Sequence, residues 1–227
     1  MPSGNACHAA PMTALPLRER KKERTRAAIE RAALDLFSAR GFDAVTLAEV
    51  ADAAEVGHRT LFRYFADKEE LLFGDDHTVR LRLADLVAAR PDYEPAATAA
   101  VEALAELASM WQDVREQGRR RRAVIDGSEA LIARERAKHR MYEQILLARL
   151  VARGLDRPEA RLLSRVSVTC FDEAVTRWLD DDDPHRPGLA GRVREAFGAV
   201  ARLANEADGG RNRQQLPLGI DCHNLRS

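Results

Sequence analysis

The stretch Val45–Leu72, VTLAEVADAAEVGHRTLFRYFADKEELL, constrains the fold of this chain more than any other. Thr46 and Glu49 stand at the S/T-x-x-E spacing of a capping box, in which each side chain satisfies a free backbone N–H of the other residue. Leu47, Val50, Ala51 and Ala54 follow at helical spacing and give one apolar face. Glu55-Val56-Gly57 interrupts that face, with Val56 expected to plug a turn and Gly57 suited to a helix boundary. A second short helix is predicted over about 58–65, with Leu61 and Phe65 pointing inward and His58, Arg59, Thr60, Arg63 and Tyr64 mostly outward. Asp67 and Glu70 repeat the capping-box spacing and are expected to open a helix running to about Arg90, ahead of Pro91.

Two helices joined by a turn of about three or four residues, the second short and carrying Arg, Thr and Tyr, describe a helix-turn-helix. The side chains suit a DNA duplex. An Arg fork pairs with guanine edges in the major groove, and Thr reaches a base edge or a thymine methyl. Tyr hydroxyls and Lys bind phosphates and set the register. Periodicity alone does not separate this arrangement from any small helical domain with exposed arginines.

Residues Ala33–Leu72 resemble the DNA-binding domain of the TetR family of transcriptional regulators. The family's pattern is met in order by Ala33, Leu36-Phe37, Gly41-Phe42, Val45-Thr46, Ala51, Val56, Thr60-Leu61, Tyr64-Phe65, Lys68-Glu69 and Leu71. The resemblance implies that His58, Arg59, Thr60, Arg63 and Tyr64 contact DNA, with Thr46 and Lys68 at phosphate-contact positions. Three residues depart from the pattern. Glu55 stands where the family often has Gly, Gly57 where it often has a capping Ser, and Phe62 where many members have a Tyr whose hydroxyl meets a phosphate.

The rest of the chain reads as helical throughout, with no strand pattern and no internal repeat. Leu17–Arg40 is expected to be one long helix with Ile29, Ala33, Leu36 and Phe37 on its apolar face and a basic early turn (Arg20, Lys21, Lys22, Arg24, Arg26). Beyond Pro95 an apolar face runs from Val101 to Trp111, and Gly118 is expected to end that segment. A helix from Gly127-Ser128 to Gly154, one opened by Asp156 and Glu159, and a last one over about Leu189–Asn205 complete the series. Four arginines, Arg119–Arg122, can hold an anionic ligand or form a solvated face, the second being the commoner use of a charge run.

The fold class is therefore all-α. The expected organisation is an arm at 1–16 without order, a helix-turn-helix DNA-binding domain at 17–80, a helical effector-binding and dimerisation domain at 81–207, and a mobile tail at 208–227. By resemblance, the last two long helices form a homodimer interface and the middle helices enclose an effector pocket. Met110, Trp111, Tyr142 and Phe171 are its expected lining, with ordinary core packing as the blander role. The Arg59–Phe65 run resembles a subgroup of the family, some members of which sense long-chain acyl groups, and the resemblance implies an apolar effector as one option.

Composition bounds the alternatives. The 227 residues carry a net charge of +0, so no global basic excess announces nucleic acid, but Arg18–Arg31 holds seven Lys/Arg against three Glu. No stretch of 18 apolar residues is present and no secretion signal is recognised, so no membrane partner is expected. Cys7, Cys170 and Cys222 are widely spaced and odd in number, which fits a reducing cytoplasm rather than a disulfide framework. Cys7-His8 and Cys222-His223 read as coincidence, and the six histidines show no ligand spacing, so neither metal nor cofactor is expected. No Walker loop, GxGxxG or G-x-S-x-G occurs and no catalytic constellation stands out, so the chain is not expected to be an enzyme. The rival expectation is a dimeric helical interaction module that no longer reads specific DNA, resting on Glu55, Gly57 and Phe62.

Overall fold

The structure, a computed structural model, describes residues 16–74, 76–183 and 186–213, with side chains up to residue 207. The expected arm and tail therefore lie outside the described residues, apart from Pro16 and the 208–213 backbone, and so do both Cys-His pairs. Among the described residues there is no strand. None of the described helices is long and apolar enough to cross a membrane. The described residues pack as two compact units, one formed by those up to Leu81 with Val114–Met141, the other by Arg82–Asp113 with those from Tyr142 onward.

The first unit is built on α1 (Leu17–Arg40), whose buried face carries Ile29, Ala33, Leu34 and Phe37. Helices α2 (Leu47–Ala53), α3 (His58–Tyr64) and α4 (Glu70–Phe73) gather around it. Leu61, Phe65, Leu71 and Leu72 join the α1 residues in one core, closed by Val124 and Ile125 from α7 (Arg115–Asp126) and Leu131 from α8 (Glu129–Ala152). Helices of seven residues are too short to persist alone in water. Their order comes from inserting Leu61 and Phe65 into this core and from the caps at their ends.

In the second unit, α6 (Ala96–Ser109) packs on α9 (Arg157–Asp180) and α10 (Leu189–Arg213), which also pack on each other. The contact face of α6 is small: Ala99, Ala100, Ala103, Ala105 and Ala108 are all fully buried. Alanines let helix axes approach closely. The α9–α10 connection is held by Arg192, 7% exposed, which donates to Asp181 Oδ2 at 2.9 Å and to the carbonyls of Pro187 and Arg177 at 3.0 and 3.2 Å.

Three helix boundaries differ from the sequence-based expectation. The helix expected from Asp67 to Arg90 is split into α4 and α5 (Asp76–Ala88), because Gly74 adopts φ +64°, a conformation that ends a helix and that glycine takes without strain. Leu81, on α5, is 54% exposed. The segment expected to end at Gly118 instead breaks earlier, at a 3₁₀ turn over Gln112–Val114, and Gly118 lies inside α7. Glycine costs a helix interior only about 1 kcal/mol, which the packing of Val124 and Ile125 offsets. The last helix likewise runs through Gly209-Gly210 to Arg213. The remaining boundaries of α1, α2, α3, α8 and α9 fall within one or two residues of expectation.

Candidate nucleic-acid interface

The interface is assembled from the end of α1 forward. Thr46 is the N-cap of α2, and its box with Glu49 is complete. The Thr46 N–H donates to Glu49 Oε2 at 2.7 Å, and the Glu49 N–H donates to Thr46 Oγ1 at 3.3 Å. Arg40 adds its guanidinium to Glu49 Oε1 at 2.7 Å and to the Ala44 carbonyl at 3.2 Å, fastening α2 to the end of α1. The Thr46 backbone N–H first, then the Arg40 guanidinium and the Thr46 hydroxyl, push the Glu49 carboxyl down to about 2.

The turn after α2 has defined geometry. Val56 N–H donates to the Ala51 carbonyl at 2.9 Å and Glu55 N–H to the Asp52 carbonyl at 3.0 Å. These are the two hydrogen bonds of a Schellman motif, which needs a left-handed residue at its centre. Glu55 is that residue, at φ +54°. Val56 packs partly buried against the core, as a plug in the turn. Gly57 then caps α3 through its carbonyl, which accepts from Thr60 and Leu61 N–H at 2.8 and 3.1 Å.

On α3, Leu61 and Phe65 are buried and Arg26 lies over the Phe65 ring at 4.7 Å. His58, Arg59 and Arg63 face solvent. Thr60 and Tyr64 are more turned than the spacing implied: both are partly buried, and Tyr64 packs against the core with the Arg63 guanidinium 5.3 Å from its ring. Lys68 lies beyond α3 with Nζ 4.3 Å from the Phe42 ring centroid. The structure thus brings Arg59 and Arg63 to the middle of one exposed face, flanked by Tyr64 and Thr60. Phe62 shares that face at its other edge, a position sequence reasoning left out of the site although its four-residue spacing from His58 was visible.

The basic residues of α1 divide. Lys21, Lys22 and Arg24 are exposed, whereas Arg26 turns inward to Glu30 at 3.0 Å. Burial pushes the Glu30 carboxyl above its ordinary value, against the pull of Arg26. The four arginines of α7 form neither a solvated face nor an open anion site. Arg120 pairs with Asp35 at 2.7 Å, Arg122 with Glu135 at 3.3 Å and Arg119 with Glu116 at 3.9 Å, and Arg121 is turned toward Glu30, where burial lowers its pKa.

The expected effector residues all lie in the second unit. The Trp111 and Phe171 rings meet at 6.0 Å and 66°, while Tyr142 and Phe171 are buried at 4% and 7% exposure. Met110, next to Trp111 in the chain, is instead 55% exposed. A surface groove of about 280 Å³, lined by Phe37, Ser38, Phe42, Arg120 and Val124 among others, lies in the first unit and includes none of them. Among the described residues no group of three or more His, Cys, Asp and Glu is placed to hold a metal ion.

Residues 29–74, from the middle of α1 to the end of α4, match the family described as bacterial regulatory proteins, tetR family. Over 186 residues the chain is 31% identical to the HTH-type transcriptional regulator TcmR of Streptomyces glaucescens, covering 81% of this chain and 74% of TcmR. The chain belongs to the TetR family. TetR-family proteins are transcriptional regulators with an N-terminal helix-turn-helix that binds DNA, and α2 and α3 are that motif here. The whole fold agrees. FadR of Bacillus subtilis, solved in complex with stearoyl-CoA, superposes with a TM-score of 0.52 at 18% identity, covering 76% of this chain and 95% of FadR. NalD of Pseudomonas aeruginosa, the secondary repressor of a multidrug efflux pump, does so at 0.52 and 20% identity, covering 79% of this chain and 96% of NalD.

Proposed function

We propose that this TetR-family regulator is a cytoplasmic homodimeric repressor that leaves a near-palindromic operator when a small-molecule effector binds. The observation that carries the reading is α3: a short helix locked from beneath by Leu61 and Phe65 that holds Arg59 and Arg63 side by side in solvent. His58, Thr60 and Tyr64 complete the base- and phosphate-contacting set, with Lys68 and Thr46 on the backbone. Two copies would place these helices in successive major grooves, one helical turn or a multiple apart.

Function divides at about residue 80, with DNA reading in 17–80 and effector binding and dimerisation in 81–207. Exposed apolar side chains on the last two helices, Leu162 on α9 and Val200 and Leu203 on α10, support a partner subunit there. The Trp111–Phe171 contact, with Tyr142 in the same unit, supports an apolar effector. Ser167, one turn before Phe171, has a fully buried hydroxyl with no hydrogen-bond partner among the described residues, and a polar effector group there would satisfy it. FadR, bound to stearoyl-CoA, is an example of the fold holding a ligand with a long apolar chain and a polar head. The effector shifts the protein only by its differential affinity for the DNA-bound and free forms.

The test is selection of bound sites from random duplex DNA at stated salt, with the wild type and Arg59→Ala in parallel. The wild type is expected to recover a two-fold symmetric motif. Arg59→Ala is expected to lose about 1–3 kcal/mol on that motif and to relax one position within each half-site. Recovery of no motif by the wild type would overturn the reading.

A further inference from the structure

The exposed side of α3 consists of three rows of residues four apart. Arg59 and Arg63 are the middle row, and Thr60 and Tyr64 form the row that leans toward the core. The third row is His58 and Phe62. Phe62 is 50% exposed, and it is the one large apolar side chain on this face of α3. Its ring meets the His58 imidazole edge-on, with centroids 5.3 Å apart and planes at 75°. Edge-to-face packing of this kind favours one ring orientation over free rotation. Phe62 has no hydroxyl, so it cannot take the phosphate contact that a Tyr makes at this place.

The major groove presents one apolar feature to a reading helix, the C5-methyl of thymine. A phenyl ring that stands beside two guanidiniums, on the same face of the same short helix, meets the bases if they do. We propose that Phe62, braced by His58, reads a thymine C5-methyl in each half-site and is a specificity-determining residue of this regulator. The proposal rests on the DNA-reading function above. It predicts discrimination between thymine and uracil, which differ only by that methyl and leave every polar contact unchanged.

The experiment uses the full-length protein and its own selected operator. Each thymine is replaced in turn, with its symmetry mate, by deoxyuridine, and affinity is measured for the wild type, Phe62→Ala and Phe62→Leu. At one thymine pair the wild type is expected to weaken about fourfold per half-site, the factor equivalent to ~0.8 kcal/mol for one buried methyl-sized group. Phe62→Ala is expected to be indifferent to uracil at that pair only, and Phe62→Leu to keep part of the discrimination. Circular dichroism checks that both variants fold, and Phe62→Leu carries the comparison if the alanine variant does not. Uracil effects that are equal in the wild type and the variants at every position, or absent throughout, would overturn the role of Phe62 while leaving DNA reading intact. A wild type that selects no operator would overturn both.

Discussion

Two helices of this protein end in the same way, one in each compact unit. At the end of α8, Leu155 N–H donates to the Leu150 carbonyl at 3.2 Å and Gly154 N–H to the Val151 carbonyl at 2.9 Å. At the end of α2, Val56 and Glu55 make the corresponding bonds to Ala51 and Asp52. The central residue is left-handed in both, Gly154 at φ +95° and Glu55 at φ +54°. In α8 the residue that suits the geometry occupies it, and the stop was legible from Gly154. In α2 a glutamate occupies it, and the backbone still turns. The turn is over-determined by its surroundings: Thr46, Glu49 and Arg40 fix one end of α2, and Val56 and Leu61 are seated in the core. Tertiary packing there outweighs the roughly 1–2 kcal/mol by which a side chain disfavours the left-handed region.

The largest effect expected from this comparison comes from Gly154→Ala. A Cβ at Gly154 would meet no atom within 4 Å, so the substitution isolates backbone strain. It is expected to lower the unfolding free energy by about 1 kcal/mol, measured by urea denaturation with an unchanged m-value. The reverse change, Glu55→Gly, is expected to raise stability by about 0.5 kcal/mol, because relief of strain is partly offset by the greater freedom of glycine in the unfolded chain. A stability loss in Glu55→Gly would show that the glutamate side chain contributes a contact of its own and would end the comparison.

The smallest effect concerns two carboxylates of the first unit that are shifted in opposite directions. Glu49 is pushed down to about 2 by the Thr46 backbone and Arg40, so the folded state binds its proton less tightly than the unfolded chain. Its contribution is fully present above the ordinary value of 4.5 and is lost as pH falls toward about 2. Glu30 is pushed up by burial, so the folded state holds its proton over the window just above 4.5. Stability is expected to fall as pH rises through that window and to level off beyond it. Melting curves of the wild type and Glu30→Gln between pH 2 and 7 check the sign: the variant should lose the decline above 4.5 and keep the acid limb set by Glu49.

Much of the reading head was legible because its signals are local. Thr46 with Glu49 and Asp156 with Glu159 cap helices through bonds that span three residues, so sequence spacing alone implies the geometry. The apolar faces of α1 and α3 follow from a period that backbone hydrogen bonding enforces. What spacing could not supply was the fate of charged and aromatic side chains whose partners are distant in the chain. Arg120 finds Asp35, Arg192 finds the end of α9, and Arg26 leaves the basic stripe of α1 to cover Phe65. Likewise Gly118 looked like a helix stop, but it keeps a helical backbone inside α7, whereas Gly74 turns to positive φ and does end its helix.

By itself the sequence determined an all-α chain, the position of its helix-turn-helix and its membership of the TetR family, since each depends on residues close together along the chain. Only the tertiary structure decided that Glu55 holds a glycine's conformation, that the α7 arginines are spent on ion pairs, and that Phe62 stands half exposed beside Arg59 and Arg63. Those outcomes depend on which surfaces meet in three dimensions, and burial and pairing across that distance are not encoded in local periodicity.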